Sequence, residues 1–367
     1  MLVQIAISVG FLLACGLVLA GLLILAEKKI LNYGTCHIDV NAGKKDLEIE
    51  GGSSLLSSLA EHNVFIPSAC GGRGSCAYCK LKVLEGGGLV SPVEEPYLTP
   101  EELKDHVRLS CQVKVRKDLK VEIPEELFNV ARFRTRLAHK KPLTHDIVEL
   151  RMELLEPAEI NFEAGQYVQL ESAEYKGHES VMRGYSISSV PSDRNHLELI
   201  IRRVPDGICT TWVFDHLKEG QEVTFSGPYG FFHLSDTDAP IICIAGGSGM
   251  APIWSIVRHM KEHGIARPTT YFFGALTQQD LFFVEEFRQL EQECPWFTFV
   301  PALSKEPEDS GWEGQRGLIT EVVARHFPDT SKHEAYLCGS PGMIDASVVV
   351  LKTNGMPEEN IFYDKFA

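Results

Sequence analysis

The chain has 367 residues, enough for two or three domains once a terminal anchor is set aside. Asp and Glu outnumber Lys and Arg by 50 to 35, and the net charge of −15 argues against nucleic acid as a partner. No internal repeat is present, and the apolar start is the only low-complexity stretch.

Residues 1–26 contain no charged side chain, and Leu2 to Ala26, as a helix at about 1.5 Å per residue, would span roughly 37 Å. We therefore expect a transmembrane helix over residues 1–26. The run lacks the basic start of a signal peptide and exceeds the usual apolar core of about 7–15 residues. Lys28, Lys29, Lys44 and Lys45 follow it and nothing basic precedes it, which leaves the rest of the chain on the cytoplasmic side. The expected location is the inner (cytoplasmic) membrane, single-pass.

From residue 33 to 128 the pattern is that of a small α+β domain. Residues 37–40 and 46–49 alternate as hairpin strands, and residues 54–62 form a short helix capped by serine. Residues 80–83 are a strand, and Thr99-Pro-Glu-Glu opens a helix reaching His106. A further alternating strand begins at Arg108 and carries Cys111. Between these elements stands Cys70-Gly-Gly-Arg-Gly-Ser-Cys76-Ala-Tyr-Cys79, three cysteines at C-x5-C-x2-C, with Cys111 32 positions further on. Four thiolates in a Gly-rich loop are what a 2Fe-2S cluster requires, because glycine lets the backbone curl and aim N–H groups at the sulfurs. A zinc site or a disulfide pair are the competing readings. Zinc knuckles usually present two C-x2-C pairs, and a disulfide framework is unusual in a chain of this size. The spacing resembles that of vertebrate and bacterial ferredoxins, and residues 33–128 resemble the β-grasp ferredoxins throughout.

Pro124-Glu-Glu-Leu-Phe128 has the form of a linker, and a strand-rich region of residues 129–236 follows. Its central signal is Arg183-Gly-Tyr185-Ser186, an R-x-Y-S string on a strand, where the cation can meet a phosphate, the phenol an aromatic ring and the hydroxyl a ring edge. Residues 199–203 form a strand ending in Arg202 and Arg203. Gly207-Ile-Cys-Thr210 begins a helix whose bare N–H groups suit a pyrophosphate, and residues 222–230 are expected to close a barrel.

Residues 237–367 show buried strands alternating with helices, the pattern of a doubly wound sheet. The apolar strand 241–245 turns through Gly246-Gly247-Ser248-Gly249-Met-Ala-Pro252 into a helix over residues 253–263, which has the form of a phosphate cradle without being a G-x-G-x-x-G fingerprint. A later strand ends in Cys338-Gly-Ser-Pro-Gly342, again at a carboxyl end, where open α/β sheets bind ligands.

The order C-x5-C-x2-C…C, R-x-Y-S, GGSGMAP and CGSPG resembles the ferredoxin-NADP⁺ reductase superfamily with a fused N-terminal 2Fe-2S ferredoxin domain. With a membrane helix in front, it is most similar to the F subunits of sodium-translocating NADH:quinone reductases. Those subunits carry a long insertion before the R-x-Y-S strand, whereas about a dozen residues intervene here. The resemblance implies an N-terminal transmembrane helix, a β-grasp ferredoxin domain, an antiparallel β-barrel FAD domain and a doubly wound parallel-sheet NADH domain. It further implies a membrane-anchored subunit that takes electrons from NADH through FAD and 2Fe-2S to other membrane subunits of a respiratory redox complex. A tethered reductase component of a mono- or dioxygenase is the alternative, and a scaffold that has lost turnover is a third reading, opposed by the complete motifs.

Carried residue by residue, the resemblance implies Cys70, Cys76, Cys79 and Cys111 as cluster ligands and Arg183, Tyr185 and Ser186 on FAD, with Thr210 near its pyrophosphate. It implies Gly247, Ser248 and Gly249 at the NADH pyrophosphate, Cys338 beside the nicotinamide, and Asp364 and Phe366 near the flavin. Cys15, Cys36, Cys209, Cys243 and Cys294 are expected to be small buried apolar residues. The stretch after Gly274, Ala275-Leu-Thr277-Gln278-Gln-Asp280, holds no cation to meet a 2′-phosphate, so NADH is the expected nicotinamide. Asp280 either faces the ribose or caps the following turn, while Thr277 and Gln278 could bond a free hydroxyl.

Overall fold

The computed structural model describes residues 10, 15, 16, 33–68 and 70–365. Apart from three positions, the expected transmembrane helix of residues 1–26 lies outside the described residues. Among the described residues no helix is long and apolar enough to cross a membrane. The chain forms two compact units that part after Asn129, and the short stretch Pro67–Gly71 goes with the second.

The first unit is a five-stranded sheet. In chain order its elements are β1 (Thr35–Val40), β2 (Lys45–Glu50), helix α1 (Leu55–Glu61), β3 (Lys80–Glu85), helix α2 (Pro100–Lys104), β4 (Val107–Leu109) and β5 (Leu119–Glu122). The strands lie in the order β2-β1-β5-β3-β4, with β1 and β5 parallel. Alternation drives the pairing: Cys36, Ile38 and Val40 face one core with Leu47 and Ile49, and α1 adds Leu55 and Leu59. Ser54 caps α1 by accepting from Ser57 N, and Thr99 and Glu102 form a capping box on α2. Two expected elements are shorter than the pattern suggests. α2 ends at Lys104, and β4 stops at Leu109 instead of running through Cys111, because the amides of Gln112 and Val113 turn back onto the Leu109 carbonyl.

The second unit opens with six antiparallel strands: β6 (Ala131–Pro142), β7 (Ile147–Glu156), β8 (Tyr167–Glu171), β9 (Met182–Ser186), β10 (His196–Arg202) and β11 (Glu222–Tyr229). Helix α3 (Ile208–Thr211) continues into a π-helical turn, Trp212–His216, between the last two. The order β10-β7-β6-β11-β8-β9 puts β11 inside the sheet, not at its closure. Closure falls to β9 and β10, which meet at the Ile187–Leu199 bridge. β11 is internal because both its edges are bonded, to β6 and to β8.

The chain then alternates strand and helix: β12 (Ile241–Gly246), α4 (Met250–Glu262), β13 (Thr269–Ala275), α5 (Val284–Glu293), β14 (Phe297–Leu303), β15 (Gln315–Arg316), α6 (Ile319–His326), β16 (Glu334–Gly339), α7 (Pro341–Thr353) and β17 (Ile361–Lys365). All pairs are parallel, in the order β15-β14-β13-β12-β16-β17, so the order reverses between β12 and β16. Ile242 and Ile244 face one core and Cys243 and Ala245 the other, which explains the unbroken apolar run. A buried Arg267–Glu334 ion pair at 2.8 Å fixes the start of β16, and Glu334 also accepts from Ser235 and Thr237.

Candidate active site

In the cysteine loop the backbone takes positive φ at Gly71 (66°), Gly72 (85°), Gly74 (78°) and Ala77 (59°). Gly74 has a second constraint: a Cβ there would stand 2.7 Å from Gln112 Nε2 and 2.9 Å from Val93 Cγ1. Gln112 is held close because its amide donates to Cys111 Sγ at 3.4 Å. Cys79, at the entry of β3, and Cys111, in the turn after β4, bring their sulfurs to 3.3 Å. The Cys79 thiol is pushed far above its ordinary range, first by the hydrogen bond with Cys111 and then by burial. Two sulfurs this close cannot both carry charge without a cation between them, and an iron centre with thiolate ligands meets that demand. Among the described residues no three His, Cys, Asp or Glu side chains gather as a metal site, so the sulfur pair and the curled loop are the features that fit a cluster.

A buried ion pair anchors this region. Arg108 donates to Glu94 at 2.7 Å and to the carbonyls of Gly87, Gly88 and Leu89, while Glu94 also accepts from the amides of Ser91 and Leu109. Burial alone would raise the Glu94 carboxyl, but the bonds from Arg108, Ser91 and Leu109 outweigh it and hold the group below its ordinary value.

The second constellation lies within the second unit. Ser186 ends β9 and pairs with Tyr167 of β8, while Arg183 and Tyr185 pair with Leu170 and Val168 and so take the opposite face. R-x-Y-S is thus split, with Tyr185 packed on the barrel core. Burial, and then the charge interaction with the neighbouring Cys209 thiol, drive the Tyr185 phenol well above its usual range. Ser186 is only 3% exposed, and its Oγ has no nitrogen or oxygen partner. Its neighbour is the Cys338 thiol at the end of β16, which feels the hydroxyl without forming a bond to it. Cys338 stands opposite Asp364 of β17. Burial first, and then the Asp364 charge, push the Cys338 thiol well up, against the smaller effect of Ser186, so it is a neutral, polarisable packing group.

The glycine turn after β12 closes on the same point. Gly247 has φ of 56°, and a Cβ on Gly249 would stand 2.2 Å from the Cys338 carbonyl oxygen. Ser248 is buried beside it. Arg202, at the end of β10, reaches over the turn, with Nη1 3.6 Å from a Cβ built on Gly247, and Asp146 holds it at 2.7 Å. That placement was not read from the sequence, where Arg202 showed only as a cation ending a strand. The buried, unpartnered Gln169 Nε2 of β8 was also missed, although a lone amide in the apolar string Tyr167-Val-Gln-Leu was its signal.

Thr210 turns its hydroxyl into its own loop, bonding Val204 and Gly207, so its backbone is what it offers to a ligand. Asp280 caps the turn Gln278–Asp280, accepting from Thr277 N at 2.9 Å and Oγ1 at 3.0 Å. Gln278 is held in turn by Glu306, which places a second carboxylate at this edge. The side chains expected to greet a ribose hydroxyl are therefore already engaged. Phe366 lies outside the described residues. Cys36, Cys209, Cys243 and Cys294 are buried, but Cys15 is exposed, contrary to expectation, since burial needs a surrounding core and the described cores begin at Cys36.

Family models match in three places: a 2Fe-2S iron-sulfur cluster binding domain over residues 38–116, an oxidoreductase FAD-binding domain over 134–234 and an oxidoreductase NAD-binding domain over 243–348. The chain is 36% identical to the F subunit of the Na(+)-translocating NADH-quinone reductase of Neisseria meningitidis, covering 95% of this chain and 96% of that one. It is 34% identical to the corresponding protein of Pseudomonas aeruginosa over 99% and 98%. That alignment runs to 406 positions against 367 residues here, so the relative holds stretches without a counterpart. Among solved structures, the cytochrome P450 reductase GcoB of Amycolatopsis is similar at TM-score 0.74 and 30% identity, over 90% of this chain and 99% of that one. The ferredoxin reductase of carbazole 1,9a-dioxygenase is similar at 0.69 and 26%, over 91% and 99%.

Proposed function

The chain belongs to the family of Na(+)-translocating NADH-quinone reductase F subunits, and we propose that it is the NADH-oxidising electron-input subunit of a membrane redox complex. The observation that carries this reading is the meeting of Ser186, Cys338 and Asp364, a buried hydroxyl and a neutral thiol from two folds at the point where the parallel sheet reverses. When bound, FAD accepts hydride from NADH and releases single electrons, and a 2Fe-2S cluster carries them one at a time.

The residues divide that work. Gly247, Ser248 and Gly249 take the nicotinamide pyrophosphate, with Arg202 as a cation over the turn. Cys338 packs beside the nicotinamide and excludes water. Ser186 offers its unpartnered hydroxyl to the flavin edge, while Arg183 and the backbone at Thr210 meet its phosphates and Asp364 and Phe366 flank it. Cys70, Cys76, Cys79 and Cys111 form one ligand set. No nucleophile and no strong general base is required, since positioning supplies the catalysis. The working division is residues 33–128 for the cluster, 129–236 for FAD and 237–367 for NADH, with residues 1–26 as a single-pass anchor that leaves these domains in the cytoplasm.

A chain beginning at Tyr33 tests this reading. It should stay in solution, bind FAD and reduce ferricyanide with NADH, while losing delivery to the membrane acceptor. Failure to oxidise NADH would refute the reading, and unimpaired delivery would refute the anchor. The similarity to a P450 reductase and to a dioxygenase reductase supports a second reading, an oxygenase partner. Co-purification with an oxygenase instead of membrane subunits would favour it.

A further inference from the structure

We propose that Arg258 is a positioning residue that sets how Ser186 meets Cys338, an inference that rests on the function proposed above. α4 begins directly after the nucleotide turn, whose Gly249 sits against the Cys338 carbonyl, so one end of the helix is tied to the nicotinamide strand. Ser255, Arg258 and Glu262 lie three, then four residues apart and share one helix face. All three reach the segment that follows Ser186.

Ser255 Oγ donates to the Ser189 carbonyl at 2.6 Å, Arg258 Nη2 donates to the Ser188 carbonyl, and Glu262 accepts from Ser192 Oγ at 2.7 Å. Arg258 adds Glu198 of β10 at 3.2 Å and lies over the Trp254 ring at 4.6 Å. The Ser188 amide donates back to the Glu198 carbonyl at 2.8 Å, and Arg151 also pairs with Glu198, so both backbone polar groups of Ser188 are held through one carboxylate-bearing residue. A guanidinium can do this because its Nη2 carries two hydrogens, which meet the Ser188 carbonyl and the Glu198 carboxylate at once, while its face stacks on an indole. Ser186 stands two residues before the clamped peptide. The helix therefore acts as a ruler, with Gly249 at one end and Arg258 near the other, that spaces the hydroxyl from the thiol.

The test uses the full-length chain as wild type, Arg258→Met and Arg258→Lys. In flavin-free protein, Arg258→Met removes the bond to the Ser188 carbonyl, and the loosened segment should raise hydrogen exchange at the Ser188 amide, which bonds the Glu198 carbonyl, about tenfold, the scale of one hydrogen bond, with α4 amides unchanged. With FAD loaded, its limiting rate of reduction by NADH should fall about 10- to 100-fold, the scale of a misplacement near 1 Å, while NADH half-saturation moves less than about threefold. Arg258→Lys should recover part of the rate. A variant that melts earlier yet keeps the wild-type rate and Ser188 exchange would overturn the proposal. If Arg258→Met does not fold, Ser255→Ala serves, with a fall of about threefold expected for one neutral bond and an unchanged rate counting against us. A wild type that NADH cannot reduce would sink the functional reading alone, since the exchange comparison still decides the clamp.

Discussion

In the cysteine loop Cys76 and Cys79 sit three residues apart, and Cys111 joins them through one short antiparallel step between β3 and β4. Ser186, Cys338 and Asp364 come instead from β9, β16 and β17, and nothing in their sequence spacing joins them. A local site concentrates its chemistry in each side chain, so deleting one removes the function. A distributed site spreads the task over packing, so deleting one side chain weakens it and leaves its cofactors in place.

The largest expected effect follows from that contrast. Cys76→Ala should abolish the visible absorbance of the 2Fe-2S cluster while FAD stays at full occupancy. Iron and sulfide at wild-type content would show that the ligand set is wrong.

Next comes the ion pair behind the loop. Glu94→Gln leaves Arg108 buried without its counter-charge and should destabilise the first unit by about 3 kcal/mol, read as a lower denaturant midpoint. The pH dependence has a definite sign. The Glu94 carboxyl lies below its ordinary 4.5, so its contribution is complete above that value and fades as pH falls through the lower folded value. Glu94→Gln should flatten that acid limb. A limb as steep as the wild type's would mean that other carboxylates set it.

Ser186→Ala should slow flavin reduction by roughly 100-fold, the scale of one donor lost at a reacting centre, while FAD binding weakens by only about 1 kcal/mol, or roughly fivefold. Equal losses in both would place the hydroxyl away from the reacting edge. The smallest effect is expected at the outer strands. The wild type should prefer NADH, and Glu306→Gln, which keeps a partner for Gln278 but removes a charge, should raise NADPH use by a few fold, about what one screened charge is worth. Comparable kcat/KM for both nucleotides in the wild type would end that argument.

The same contrast explains what could be read in advance. The glycines of the loop and the strand-turn-helix at Gly247 were legible because each turn is written in consecutive residues. The unbroken apolar run at residues 241–245 announced a strand buried on both faces. Strand ends were harder: β4 was cut short by backbone bonds to the Leu109 carbonyl, and no side-chain pattern encodes such a turn. Arg202 over Gly247 and the clamp at Ser188 were invisible because each depends on the register of strands far apart in sequence. Asp280 could be read two ways, and the capping geometry decided between them.

The closure of the barrel has a mechanical consequence. Most neighbouring strands in that sheet share a ladder of several residues, but β9 and β10 meet at the single Ile187–Leu199 bridge, with the Ser188 amide on the Glu198 carbonyl beside it. That line is a seam, joined by fewer backbone bonds than the ladders on either side of it. The seam begins one residue after Ser186. Any ligand spanning β9 and its neighbours therefore acts as a stitch, and its binding free energy adds directly to the resistance of the closed form.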